Sequence, residues 1–513
     1  MARTMLLLVL VTMLPVATWA NPRPAMIVLK EGDPAAASTV SSLNAPFTNG
    51  DGVVGFTGTL TVGGQFVWYD TAVRWLNTDA MPGDTLTGAE GTMGIGDAAE
   101  FVYSPSVSGD DAVWTHNGLL LKEGMQAPGF AAGTTNTFNS RPTMTPDGTA
   151  HWVAGINASG GTSTENRVFY AAPNALPGAT IPILTTGDLV GGFPIDAPSG
   201  ISFQYWVSDN HLHHIHQLDL NTGSTANDEV VYLDGAIVAR ESFPTGDGDN
   251  WSNVTTVAVN NDGDYVIAGD TDGPTTSDTY VAYNGTIAVR EGDAIDGFTL
   301  TSSTSIRAVS INNAGFVAHI WSIASGTEAL FVGRGEDIAG STRLIVATGD
   351  SIDVDQDGSA DFVVTDLNAS SGTMHSLDMA TGMLVFAEVE LTPVGGGTAI
   401  EAITGFPACA GSLTLTGVVV GPNQLQLHWS SCPTVYEYWL YGASNEPHFV
   451  PGFAPGYEHR ISVLPPGDLD EPVPGPGDIA SNGTYLVVAV TPGGVEMTRS
   501  NRFGEFDFAT GGP

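Results

Sequence analysis

The sequence predicts an all-β fold, a β-propeller followed by a small β-sandwich, and three observations carry that prediction. A short phrase recurs seven times, at intervals averaging about 53 residues, which is the signature of a repeat architecture. Between its copies lie turn-then-strand phrases of alternating apolar pattern, so each unit holds about four short strands. With 64 Gly and 31 Pro and no amphipathic helical stretch of any length, the composition favours strands and turns.

The first phrase is IVLKEGDPA (27–35), LLLKEGMQAPG (119–129), IVARESFPTG (237–246) and IAVREGDAIDG (287–297). Weaker copies are RWLNTDAMPGD (74–84), PILTTGDLVGG (182–192) and LIVATGDSIDV (344–354). Each is an apolar run that ends in a Gly/Asp/Glu turn. The second phrase is TNGDGVVGFTG (48–58), TPDGTAHWVAG (145–155), VNNDGDYVIAGD (259–270), INNAGFVAHIWS (311–322) and LNASSGTMHSLD (367–378). Its Asn, Asp and Gly tolerate positive φ, so it reads as a tight turn that launches a strand. The third phrase, in WTHNGLLLK (114–122), VYLDGAIVAR (231–240) and VAYNGTIAVR (281–290), sets Asn-Gly or Asp-Gly between apolar runs and predicts hairpins. A four-stranded unit cannot bury both its faces alone, and seven of them stacked in a ring make a seven-bladed propeller. LVFAEVELTPVGGGTAIEAITGF (384–406) is available to complete the last blade. A β-solenoid or tandem sandwiches are the alternatives.

These phrases resemble the tandem repeats of a poorly characterised family of exported bacterial proteins with EGD and N-x-x-G-x-V-A-F elements, over about 26–400. The resemblance implies a repeat fold and no activity.

The ends set the compartment. MARTMLLLVLVTMLPVATWA (1–20) has one Arg, an apolar run and small residues before Asn21, the pattern of a secretory signal peptide cut after Ala20. The run is too short to span a bilayer. An exported protein without a transmembrane anchor in its mature chain is expected, secreted, extracellular or periplasmic. The expected domains are the signal peptide, a propeller over 21–406 and a sandwich over 407–513.

In that last segment, SLTLTGVVV, NQLQLHWSSC, YEYWLYGAS, HRISVLPPG, TYLVVAVTPGG and SNRFGEFDF alternate as strands. Their order resembles a fibronectin type III module, with Trp429 and Tyr485 as core aromatics and Trp439 in an alternating strand. Cys409 and Cys432 read as one disulfide in an exported chain, contributing roughly 3 kcal/mol on the loop-entropy model.

Charge bounds the partners. Lys and Arg number 15 against 55 Asp and Glu, a net charge of −40. Such a surface repels phosphate backbones, so nucleic acid is excluded as a partner, and it suits Ca²⁺ or basic partners. The best ion motif is DVDQDGSAD (353–361). Asp353, Asp355 and Asp357 stand at spacing two, Gly358 turns the chain, the Ser359 carbonyl is the next donor, and Asp361 closes the set. Ca²⁺ takes six to eight hard oxygens from loops of this kind, so a structural calcium site is expected. The alternative is an acidic solvated turn. GDGDN (246–250) and NDGD (261–264) are similar but incomplete.

DNHLHHIHQLDLN (209–221) holds four histidines. Aligned on the second phrase, His211 takes the Gly slot and the rest forms an inner blade strand. Strand alternation sets Leu212, His214 and His216 on one face. His214 and His216 could bind Zn²⁺ or Cu²⁺ given a third ligand from a neighbouring strand. Otherwise they pack or face the channel.

No GxSxG, HExxH or P-loop is present. Two functions follow. One is a non-catalytic exported repeat protein that binds an extracellular protein, a glycan or a surface. The other is a polysaccharide-active enzyme with a propeller catalytic domain and a fibronectin-like accessory. A purely structural envelope component is a third.

Overall fold

The computed structural model describes residues 22–407, except 50–51, 78, 80–92, 108–109, 158–165, 302–304, 324–325, 336, 356–358, 368–376 and 380–383, and beyond them a set of strands between 415 and 505. The described residues form a seven-bladed β-propeller. Six blades lie in chain order, over 38–76, 93–122, 135–185, 201–240, 251–290 and 305–347. Each is built on a four-stranded antiparallel meander, with short extra strands in the first two blades. Blade four, for example, runs Ile201–Val207, His214–Asp219, Glu229–Leu233, Ala236–Arg240. From blade two to blade six the first strands of successive blades contact one another and line the inner wall.

The seventh blade takes its strands from both ends of the domain. Phe362–Asp366, Leu384–Pro393 and Ile400–Pro407 supply three of them, and Met26–Lys30 pairs with Ile400–Pro407 as the outer strand. Every copy of the first phrase is therefore an outer strand, and the first copy belongs to the last blade. This closes the ring without a covalent bond.

The EGD turn has one geometry throughout. The N–H of the residue at the Asp position returns to the carbonyl three residues earlier in all seven copies, from Asp33 to Lys30 through Asp350 to Ala347. Where that residue is Asp, its carboxylate also accepts the N–H of that earlier residue, as in Asp188 with Thr185 (2.7 Å) and Asp293 with Arg290 (2.8 Å). The Asp carboxylates of the motif thus cap the turn.

After the turn the chain makes a small hairpin and enters the next inner strand. A reciprocal pair of backbone hydrogen bonds marks it. Examples are Gly32 to Val40 with Val40 to Asp33, Gly187 to Ile195 with Ile195 to Asp188, and Gly349 to Val364 with Val364 to Asp350.

The second phrase forms the turn between first and second strands. Gly52, Gly148, Gly263 and Gly315 hold φ of +82°, +80°, +81° and +76°, and His211 sits in the same slot at +51°. These turns are tied blade to blade. Asn210 N–H donates to Asn261 Oδ1 (2.7 Å), and Asn261 N–H to Asn313 Oδ1 (2.9 Å).

The hydrophobic core lies in the seams between blades rather than at one centre. Between blades three and four, Val153 and Phe169 pack on Ile201, Tyr205 and Leu218. Between five and six, Val281 and Val289 pack with Trp321 and Phe331. One side-chain position crosses four of these seams. It is the residue at or next to the start of the third strand. Glu229 accepts the N–H of Val254 (2.6 Å), Glu328 that of Leu367 (3.1 Å), and Glu401 that of Leu43 (2.9 Å). Arg167, at the same position in blade three, donates to the Ile201 carbonyl (2.8 Å).

The strands beyond 407 form two sheets. Leu415–Gly421, Gln424–Trp429 and Asp470–Pro474 make one, and His459–Val463, Glu437–Ser444, Gly483–Val490 and Glu496–Arg499 the other, joined by Phe503–Glu505. Cys409 and Cys432, and the segment 1–20, lie outside the described residues. Among the described residues no helix is long and apolar enough to cross a membrane.

Candidate metal centre

DVDQDGSAD is the small hairpin of the seventh unit, enlarged. The marker hydrogen bonds span Asp33 to Val40, Asp188 to Ile195 and Asp293 to Leu300 in other units, whereas here they span Asp350 to Val364. The extra chain carries the acidic residues. Asp353 ends the strand Ser351–Asp353 and is buried at 7% exposure, Asp355 is exposed, and Asp361 precedes Phe362–Asp366. One carboxylate oxygen from each of these three lies within 4.8 Å of the others. Ser359 is an exposed residue of the same loop, and Asp357 lies outside the described residues.

Local hydrogen bonds hold Asp361 in place. Val354 N–H donates to Asp361 Oδ2 (2.7 Å), and Asp361 N–H to the Ile352 carbonyl (2.8 Å). The hairpin also receives the N-terminus of the propeller. Arg23–Pro24 pairs in parallel with Ile352–Asp353, Ala25 N–H donates to the Asp353 carbonyl (3.1 Å), and the Arg23 guanidinium meets Asp350 at 2.6 Å. The residues suit a hard cation. Oxygens 2.3–2.6 Å from one Ca²⁺ stand no more than about 5 Å apart, and three carboxylates are the donor type that ion takes.

The two weaker acidic motifs are engaged differently. Asp247 and Asp249 of GDGDN meet the Arg290 guanidinium at 3.3 and 2.8 Å, so a side chain from the neighbouring outer strand supplies the cation. In NDGD, Asp262 and Asp264 donate their N–H groups to Asn260 Oδ1 (3.0 Å each), and Asp264 accepts from Asn284 (2.8 Å).

The histidine run is the turn and second strand of blade four. The strand begins at His214 and lies one place out from the innermost strand, Ile201–Val207, which corrects the expectation of an inner strand. The inner position goes to the segment before the turn, because each blade is a meander that starts at the axis. His214 and His216 do share a face, turned to blade three, and that blade brings a third imidazole. The His151 and His214 rings are 5.4 Å apart, His214 and His216 are 6.4 Å apart, and Phe169 lies 4.5 Å from His216. Among the described residues the three do not bring their nitrogens within 4.8 Å as a set. They are packed seam residues. Burial first, then neighbouring imidazoles, push His151 well below the usual histidine range, and the same causes push His216 down to about 3. His211 instead pairs with Asp147 (2.9 Å) and His213 with Asp234 (2.6 Å).

Among the described residues, burial pushes Glu229 up to about 7, against the N–H it accepts from Val254. Asp219, its cross-strand partner, is also raised, by burial and then by Asp228 and Asp196. Nothing in the local sequence around Glu229 marks it as a buried carboxylate. Its signal is an acidic residue at the start of the third-strand pattern, recurring at Glu328 and Glu401.

A family of unknown function (DUF7453) has a model that matches residues 17–384. The chain belongs to that family. No functionally curated protein matches the sequence. The chain is similar in structure to the β-propeller domain of the Trilobed protease from Pyrococcus furiosus, at 9% identity and TM-score 0.29, over 60% of this chain and 98% of that one. It is also similar to the subtype N11 neuraminidase-like protein of A/flat-faced bat/Peru/033/2010 (H18N11), at 10% identity and TM-score 0.29, over 76% of this chain and 97% of that one. Neither likeness carries an argument about function. The propeller assignment rests on the strand order itself.

Proposed function

We propose that this member of the family is an exported, non-catalytic repeat protein whose propeller is a binding platform for an extracellular protein, a glycan or a surface, with a structural calcium ion at the ring closure. The observation that carries the calcium reading is the convergence of Asp353, Asp355 and Asp361 within 4.8 Å in the hairpin that docks Arg23–Ala25. Asp357 and the Ser359 carbonyl complete the oxygen set in this reading. An ion there neutralises crowded carboxylates and ties down the loop that holds the N-terminal segment against the seventh blade. The strand order beyond 407 supports a fibronectin type III-like accessory. First, second and fifth strands make one sheet, and fourth, third, sixth and seventh the other, as in sandwiches of that kind.

The test is thermal melting during calcium titration. Calcium is expected to raise the melting temperature, chelator to reverse it, and magnesium to substitute poorly. Asp355→Asn and Asp361→Asn are expected to abolish the response. A melting temperature indifferent to calcium and chelator overturns the reading.

A further inference from the structure

Three imidazoles are sealed into the seam between blades three and four. His151 comes from the second strand of blade three, Ala150–Asn157, and His214 and His216 come from the second strand of blade four. They surround the Phe169 ring, whose centroid lies 5.8 Å from those of His151 and His214 and 4.5 Å from that of His216. His151 and His216 are 1% exposed, and the Nδ1 of each of the three is buried with no hydrogen-bond partner. The His214 Nε2 meets the His211 carbonyl at 3.2 Å, which makes Nε2 the protonated nitrogen and leaves Nδ1 a bare lone pair. The other buried histidine among the described residues, His319, stands alone, and its Nδ1 accepts the Trp321 indole N–H at 2.8 Å.

The groups facing this cluster offer it no counter-charge. From the inner strand of blade three comes a cation, the Arg141 guanidinium, which lies over the Phe203 ring 5.7 Å from its centroid. From the inner strand of blade four, Tyr205 stacks on His216 at 5.8 Å, and its hydroxyl donates to the Arg141 and His151 carbonyls. From the third strand of blade four, Tyr232 stands opposite His216. Two carboxylates stand at the end of the seam, and both are engaged. Asp147 meets His211 at 2.9 Å, and Asp234 meets His213 at 2.6 Å and accepts the His214 N–H at 2.8 Å. A proton taken up by the closed seam therefore creates a charged N–H without an acceptor, beside two further imidazoles. Burial above all holds the three below the ordinary histidine value, His216 at about 3. Once the seam parts they are ordinary histidines in water, so the open form binds up to three more protons.

We infer that this seam is an acid-sensitive joint: protonation of His151, His214 and His216 parts blades three and four while the other seams stay closed. The sign follows from where the protons go. Above about pH 6.5 the three are neutral in both forms, and the closed ring keeps its full stability. Below it opening takes up protons, and the opening constant rises toward about a thousandfold per pH unit, about tenfold for each imidazole. His211 and Asp147 act in the opposite direction, because a protonated His211 pairs with Asp147 across the same seam. The joint therefore holds until the three buried imidazoles outweigh that pair. The inference stands apart from the calcium ion and from the ligand of the platform.

The experiment is thiol labelling of the full chain by dithiodipyridine, which reacts in mild acid, from about pH 7.5 to about pH 5. Val153→Cys reports on the seam between blades three and four, and Val281→Cys on the seam between five and six; both side chains are fully buried. The unsubstituted chain gives the background from Cys409 and Cys432. Rates are divided by that of a free thiol at the same pH. Labelling of Val153→Cys is expected to rise steeply below about pH 6, while Val281→Cys keeps its neutral-pH rate until the chain unfolds. His151→Phe and His216→Phe, each added to Val153→Cys, are expected to lower the steepness by about tenfold per pH unit. If Val153→Cys does not fold, Val230→Cys reports on the same seam. If neither Phe variant folds, the comparison of the two cysteines decides. Labelling of both cysteines together, or flat labelling of the blade three–blade four cysteine down to about pH 5, overturns the joint. Unchanged steepness in a folded Phe variant overturns its histidine origin.

Discussion

The Glu401 carboxylate, in the third strand of the seventh blade, accepts the backbone N–H of Leu43 in the first blade at 2.9 Å. The two residues are 358 positions apart, and their contact crosses the seam where the ring closes. Glu31, just past the closing strand, adds to it: its N–H donates to the Glu401 carbonyl (2.8 Å), and its carboxylate accepts the Glu401 N–H (3.2 Å). The ring is therefore latched by side chain as well as by strand pairing.

Glu401→Ala removes the acceptor and leaves a buried N–H unpaired, at a cost of about 1–3 kcal/mol. Glu401→Gln keeps an acceptor oxygen and is expected to lose less than half as much. Urea unfolding midpoints measure both. Equal losses in the two variants would show that the hydrogen bond is not what the side chain contributes.

Gly94→Ala is expected to disrupt the seam between blades two and three. A Cβ there meets the backbone of Met144 and Thr143, which cannot rotate away. Overpacking of this kind costs roughly 1–3 kcal/mol, and more where backbone must move. Gly187→Ala is a useful contrast. Its surroundings are open but its φ is +94°, so the cost is backbone strain alone, of order 1–2 kcal/mol. Melting temperatures should place Gly94→Ala well below Gly187→Ala.

Asp188→Ala removes the carboxylate that accepts the Thr185 N–H at 2.7 Å. The turn keeps its backbone hydrogen bond from position 188, so the loss should be about 1 kcal/mol, read from chemical denaturation. Asn at this position retains a side-chain oxygen and is expected to recover most of it.

Stability should fall on both sides of a mildly acidic optimum. Glu229 has a folded pKa of about 7, above its ordinary value of 4.5. Its contribution is complete below about pH 4.5 and is lost as pH rises through 7. His216 has a folded pKa of about 3, below its ordinary 6.5, so its contribution is complete above 6.5 and is lost as pH falls toward 3. Melting temperature against pH checks this. Glu229→Gln should flatten the alkaline side and His216→Phe the acid side. A variant that leaves its own side unchanged would remove that residue from the account.

Much of the fold was legible because its signals are short. The Asn-Gly and Asp-Gly hairpins sit where expected, with Asp234 and Asn284 at φ +49° and +48° ahead of Gly235 and Gly285. His211 occupies the glycine slot, as the alignment of repeats indicates. The seam latches were not legible. Glu229, Glu328 and Glu401 are acidic residues in a chain that holds 55, and nothing local marks their partners in the next blade. The incompleteness of GDGDN was visible, but that Arg290 supplies its cation was not.

Strand class, turns and the order of the blades are written in short stretches of sequence, because each depends on hydrogen bonds and side chains within a few residues. That Met26–Lys30 completes the last blade, that His151 joins His214 and His216, and that Arg141 lies on Phe203 emerge only in the closed ring. Those facts depend on which blade faces which. That is set by burial of apolar surface in the seams, a property of the closed ring and of no single repeat.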